Sequence, residues 1–372
     1  MATTQKKIEK GLKGVYVAET KLSDVNGTDG ILTVKNYDID ELAPNATFEE
    51  AVYLLLYDKR LIKDELLAYQ KKMAQYRKIP PITISVIKTL VKANVKGTEV
   101  LQAALGTLFI ETIKTKENIN ELILASIPTI VASYYRLKHG KEIVEPRLDL
   151  SHVSNFLYML QGKEPDFKYV RALETYFITV MDHGMNASTF ISRCVASCGS
   201  DLLSAVIGGL GGLKGPKHGG APEPALQLVL TVSQSDNPEQ YIRGLIERDE
   251  KIAGFGHRIY KARDPRADVL KKAGKQFYTG KEEKLSEIFN QTEQLVLRLL
   301  EEYKPGRKLH TNVEFYTAYL LHGIGIDEEL FTSLFAIARS VGWLAHAKEE
   351  FAENLIIRPE SVYIGKYGQK WN

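Results

Sequence analysis

Apolar residues return at helical spacing along most of this 372-residue chain, in segments separated by short Gly, Pro or Asn breaks. Ile119, Leu122, Ile123, Ile127, Ile130, Val131 and Tyr134 share one helical face, with Pro128 placed to kink it. Leu285, Ile288, Leu295 and Leu299 mark a second long amphipathic helix. Thr47 and Glu50 have the spacing of a capping box ahead of the apolar run 51–56. About a dozen further segments follow the same rule. No internal period groups them, which excludes a solenoid, and no low-complexity linker divides them. The exception lies near the N-terminus. Residues 12–19 alternate apolar and polar, and 30–34 follow a turn-rich stretch, so a short β pair is expected there. The pattern predicts a compact, mainly α protein.

With 44% hydrophobic and 26% charged residues, a chain of this length buries a large core without disulfides. Lys and Arg number 49 against 46 Asp and Glu, a net charge of +3, which lacks the basic excess of a nucleic-acid surface. Residues 1–10 are polar and lysine-rich, without the apolar centre of a secretory signal. No run of ~18 uncharged apolar residues suggests a membrane span. Cys194 and Cys198 have neither zinc nor redox spacing, and on a helix they share a face, so buried thiols are expected. Together these features predict a soluble, cytoplasmic protein with no nucleic-acid or membrane partner.

The residues able to carry chemistry are few. Residues 208–220 hold seven glycines (208, 209, 211, 212, 215, 219, 220) around His218, and form neither a Walker A loop nor a G-x-G-x-x-G turn. Such a stretch serves close helix packing, a hinge, or a backbone approaching a ligand. His218 is then either a ligand-facing imidazole or an incidental turn residue. His257 follows Gly254-Phe255-Gly256 and precedes Lys261, Arg263 and Arg266. That context suits an anion with a polarisable carbonyl, or else a solvated basic loop. His183 lies just before a helix that Asn186 or Ser188 could open, where anions gather, or where a histidine simply caps the loop.

Arg339 sits in a helix apolar nearly all round, with no acidic residue within one turn. A buried guanidinium costs several kcal/mol unless paired, so either a distant carboxylate or an anionic ligand must meet it. Glu314, between Val313 and Phe315 at the start of an apolar helix, is either a desolvated base or a first-turn Glu serving the helix dipole. Arg358, after Ile356-Ile357, reads alone as a surface residue. No H-E-x-x-H pair and no G-x-S-x-G elbow occurs, so no metal and no serine nucleophile is expected. His139, His152, His310, His322 and His346 receive no role.

Four segments in order, HGMNASTF (183–190), KGPKHGG (214–220), GFGHRIYKARDPR (254–266) and NVEFY (312–316), resemble the citrate synthase family. The N-terminal GLKGVYVAET and the closing IIRP are similar to its shorter bacterial type. The resemblance implies a multi-helical fold with a large domain (1–216 and 319–372, the latter ending in a C-terminal arm) and a small one (217–318), paired as a homodimer. It implies the opening condensation of the tricarboxylic acid cycle, in which acetyl-CoA, oxaloacetate and water give citrate and CoA. The CoA thioester is a substrate, and no cofactor is implied. By motif position Glu314 is the base, His218 the enol-stabilising donor and His257 the group that polarises the ketone. His183, Arg266, Arg339 and Arg358 match the oxaloacetate anchors, Arg358 reaching in from the partner subunit. Lys261 and Arg307 match CoA phosphate contacts only weakly.

Two departures bear on this reading. The family base is commonly Asp, here Glu314, and His218-Gly219-Gly220-Ala221-Pro222 replaces the commoner HGGAN form. Lys35-Asn36 also replaces a usual Arg-Gly. The alternative with propionyl-CoA, 2-methylcitrate synthase, differs by one methylene, which an apolar pocket discriminates by only ~1–3 kcal/mol. A remoter alternative is a non-catalytic sensor of oxaloacetate or CoA.

Overall fold

The computed structural model describes residues 8–219, 222–257 and 259–371, and they are mostly helical. A small antiparallel sheet comes first: β1 (Ser23–Asn26), β2 (Ile31–Val34) and β3 (Tyr37–Asp38), in that order. The helices follow: α1 (Ile39–Asn45), α2 (Phe48–Tyr57), α3 (Lys63–Gln75), α4 (Pro81–Lys92), α5 (Gly97–Gly106), α6 (Phe109–Thr112), α7 (Ile119–Lys138), α8 (His152–Gln161) and α9 (Phe167–Val180). Then come α10 (Ala187–Ser197), α11 (Leu202–Leu213), α12 (Pro222–Gln234), α13 (Pro238–Glu247), α14 (Pro265–Phe277), α15 (Lys281–Tyr303), α16 (Val313–Ile324) and α17 (Phe331–Glu353).

Helix α17 is the spine. It packs against α2, α5, α7, α9, α10 and α11, which is why its sequence is apolar on every side. Residues 328–353 are long and apolar enough to cross a membrane, yet an 18-residue stretch within them is 94% buried inside the fold. Helices α12 to α16 pack largely on one another, and α14 and α16 also close on α9.

Three local expectations need correction. The strand paired with β2 is β1, not residues 12–19, and a third strand extends the pair to a three-stranded sheet. Val15 and Val17 alternate correctly but have no partner strand, and Tyr16 between them is 96% exposed. The turn into β3 is made by Lys35 and Asn36, both at positive φ (47° and 69°), the geometry of a tight hairpin turn. Cys194 is half-buried and Cys198, at the end of α10, is exposed, so these are not core thiols.

The glycines of α11 answer to packing. A Cβ on Gly209 would fall 2.7 Å from the Trp343 ring, and one on Gly212 would fall 2.5 Å from Ile191. They let α11 lie against α10 and α17. Gly220 and Ala221 lie outside the described residues.

Candidate active site

His183 occupies the short link from α9 to α10, whose first turn is capped by the Asn186 side chain accepting from Thr189 N. Its neighbours hold the link on both sides, Asp182 accepting from the Ser23 hydroxyl and Gly184 N donating back to it at 3.0 Å. The imidazole is buried, with Nε2 3.1 Å from the Tyr260 hydroxyl. Burial first, then the nearby Arg266 and Arg339 charges, hold it neutral well below the usual histidine range.

His218 lies in the turn after α11. Its Nε2 accepts from Ser188 N at 3.3 Å and lies 2.8 Å from the Ser188 hydroxyl. An N–H donor aimed at Nε2 leaves the proton of a neutral ring on Nδ1. Burial, with the Arg339 charge, brings its pKa down to about 4, so the ring is neutral near pH 7. Trp343 Nε1 donates to the same Ser188 hydroxyl at 3.1 Å, tying His218 to α17 through α10.

His257 is held the other way round. Ile259 N and Tyr260 N both donate to Nδ1 at 3.1 Å, so its proton sits on Nε2. Arg266 Nη2 reaches that Nε2 at 3.4 Å, a longer and weaker contact than the two on Nδ1. Burial and the Arg266 charge lower its pKa to about 4. Gly254 and Gly256 stand at φ 86° and 79°, and a Cβ at Gly254 would strike Phe315 at 2.9 Å, so this turn needs glycine. The turn is zipped to the start of α16 by Gly256 N to His310 O (2.7 Å) and Asn312 N to Gly254 O (2.9 Å).

Arg266, at the start of α14, is buried and paired with Asp264 through Nε (3.0 Å) and Nη2 (2.9 Å). Burial alone would lower its pKa, but Asp264, with Tyr260 and Glu314, raises it on balance. Glu314 stands in the first turn of α16, where Asn312 accepts from its backbone N–H at 3.0 Å. Burial raises its carboxyl to about 7, Asp264 adding to the rise while Arg266 and Arg339 oppose it. The dipole reading alone would have lowered this pKa, so desolvation wins.

Arg339 is the hub. It is 1% exposed, donates from Nε to Val180 O at 2.7 Å, and leaves Nη2 without a partner. Burial pulls it down to about 10, with Asp182 the leading opposing charge. Its charge is felt at His183, His218 and Glu314.

The fold thus gathers His183, His218, His257, Arg266, Glu314 and Arg339. It does not bring in Arg358, which lies exposed in the extended segment after α17, anchored nearby by Ile357 N donating to Ser197 Oγ at 3.2 Å. Lys261 and Arg307 are also exposed. Asp264, Tyr260 and Asp182 were not singled out by sequence, and Ser188 only as a possible opener of α10, a place that Asn186 takes, although each lies inside or beside a motif that was. Chemically the cluster offers neutral imidazole donors, two cations for a multiply charged acid, and a carboxyl poised to take a proton near pH 7.

The family model described as "Citrate synthase, C-terminal domain" matches residues 11–360. Citrate synthase 2 of Bacillus subtilis is 39% identical, over 97% of each chain. The 2-methylcitrate synthase of Shewanella oneidensis is 33% identical, over 98% of this chain and 97% of that one. Among solved structures, citrate synthase of Thermoplasma acidophilum, in a ternary complex with carboxymethyl coenzyme A and oxaloacetate, superposes with a TM-score of 0.89 at 27% identity, covering 98% of both chains.

Proposed function

The chain belongs to the citrate synthase family, and we infer that it is a citrate synthase, condensing acetyl-CoA with oxaloacetate and water to give citrate and CoA. The observation that carries the residue roles is the convergence on Arg339, a buried cation with an unpartnered Nη2 that reaches electrostatically both the base and two imidazoles. Oxaloacetate supplies the counter-charge, its carboxylates held by Arg339, Arg266 and His183.

Glu314 removes a methyl proton from the thioester, and His218 Nδ1–H donates to the oxygen of the enol that forms. The enol carbon attacks the oxaloacetate ketone, whose oxygen lies where His257 Nε2–H and Arg266 converge. His257 passes its proton to that oxygen, giving citryl-CoA, and water then cleaves the thioester to citrate and CoA.

The exposed apolar residues of the two ends, among them Tyr16, Ile364 and Trp371, suit a homodimer in which Arg358 completes the site of a second copy. Residues 217–318 act as the smaller, closing domain, and Lys261 and Arg307 are the cations available at the surface for CoA phosphates. The protein works in the cytoplasm. The second reading, propionyl-CoA as substrate, is favoured by the Shewanella relative.

The test is CoA release from acetyl-CoA and from propionyl-CoA, each with and without oxaloacetate. Oxaloacetate-dependent release with acetyl-CoA as the better substrate by kcat/KM is expected. The reverse ratio makes the enzyme a 2-methylcitrate synthase, and no release with either overturns both.

A further inference from the structure

Behind the site lies a buried polar chain that the reaction does not use directly. His346 is fully buried on α17, seven residues and about two turns beyond Arg339, hence on the same face. Its Nδ1 faces Arg193 Nη1 at 3.2 Å, and a guanidinium only donates, so the imidazole proton lies on Nε2. Nε2 in turn lies 3.2 Å from Asp182 Oδ1, an ion-pair contact off the line of a hydrogen bond, and neither of these two buried atoms has another hydrogen-bond partner among the described residues. Asp182 is buried, and its other oxygen takes the Ser23 hydroxyl, which also receives Gly184 N.

Arg193 is fixed from the far side by Glu350 (2.6 Å) and Glu349 (2.7 Å). Between Arg339 and His346, Gly342 lets the helix backbone touch the link directly, Gly342 N donating to Met181 O at 3.2 Å. A Cβ there would fall 2.6 Å from Asp182 Oδ1. Asp182 therefore belongs to the His183 link and meets α17 at both Gly342 and His346.

We propose that Asp182 and His346 are positioning residues for oxaloacetate, locking the His183 link to the helix that carries Arg339 so that the two anchors keep one fixed spacing. Resting on the assignment of His183 and Arg339 as oxaloacetate anchors, the proposal adds a residue from the link before His183 and one from the far half of α17 to the binding apparatus. An imidazole of fixed tautomer spans the gap from Arg193 to Asp182, which an apolar side chain of equal volume cannot do.

The variants are His346→Leu, His346→Gln and Ser23→Ala, read by kcat, by KM for each substrate, by oxaloacetate calorimetry and by thermal midpoint. His346→Leu is expected to raise the oxaloacetate KM and Kd about ten-fold or more, with kcat within about three-fold and the acyl-CoA KM unmoved. His346→Gln, which keeps a donor toward Asp182, recovers most of that loss. Ser23→Ala, at a half-buried site that tolerates a lost hydroxyl, weakens oxaloacetate by about three-fold and covers the case in which His346→Leu does not fold. A lower thermal midpoint with unchanged oxaloacetate KM and Kd, or equal losses in Leu and Gln, overturns the proposal. Wild-type protein that binds oxaloacetate but releases no CoA would instead refute the assigned activity and leave the calorimetric comparison standing.

Discussion

The carboxylate of Asp264 accepts the backbone N–H of Val313 at 3.1 Å, one residue before Glu314. The same Oδ2 pairs with Arg266 Nη2 at 2.9 Å. One side chain therefore sets both a proposed anchor and the helix that carries the proposed base. Asp264→Asn leaves a buried Arg266 short of charge and brings an amide donor against two others. It should cost about 3–5 kcal/mol of stability and weaken oxaloacetate binding, seen by calorimetric unfolding and by the oxaloacetate KM. Because the Asp264 charge raises the Glu314 pKa, the acid limb of kcat/KM should also move to lower pH in this variant.

Glu314 must be ionised to act, so turnover should fall as pH drops through about 7. Stability runs the other way. A carboxyl whose folded pKa is raised holds its proton longer in the native state, so its contribution is present at low pH and lost as pH rises through about 7. Glu314→Gln should therefore abolish turnover, keep oxaloacetate binding, and be more stable than wild type by about 1–3 kcal/mol at pH 8. Denaturant midpoints at pH 5 and pH 8 check the sign, the gap between the proteins widening with pH.

Arg339 carries an unpartnered Nη2 in a site 1% exposed. Arg339→Met removes a buried cation and should leave the unliganded protein at least as stable as wild type. Oxaloacetate raises the wild-type thermal midpoint by binding the native state, and that rise should vanish in the variant. Differential scanning calorimetry with and without oxaloacetate makes the comparison.

Ser188 orients His218 with a backbone N–H that an alanine there would keep. Ser188→Ala should keep the Nδ1–H tautomer and lower kcat by less than about ten-fold. His218→Phe, which loses the donor itself, should lower it by about 10²–10³-fold. Equal losses in the two would place the effect in the hydroxyl and its bond to Trp343.

Arg358 is exposed on its own chain. If it serves a second copy, mixing Arg358→Gln with Glu314→Gln under subunit exchange restores activity, because one site then holds both an intact Glu314 and an intact Arg358. Two separately inactive proteins that stay inactive on mixing would rule out service in trans.

Much of this was legible because it was local. Thr47 and Glu50 form the reciprocal capping box their spacing announces. The all-apolar surroundings of Arg339 announced a buried cation. What stayed hidden depended on partners distant in sequence. Period-two alternation over 12–19 says which way side chains point, not whether a strand lies alongside, and the true partner of β2 is a polar four-residue segment. His346 looked idle because Asp182 and Arg193, which give it work, lie in other parts of the chain. The glycines of α11 could have served a hinge or a helix contact, and only the position of Trp343 decides between them.

The zipper of residues 254–256 against 310–312 makes His257, Arg266 and Glu314 one mechanical piece. His218 is fastened elsewhere, to Ser188 and through it to Trp343. Heating that loosens the joint between these pieces should separate the proposed base from the proposed enol-stabilising histidine while both pieces remain folded. The temperature at which this enzyme fails is then that of a seam rather than of a core.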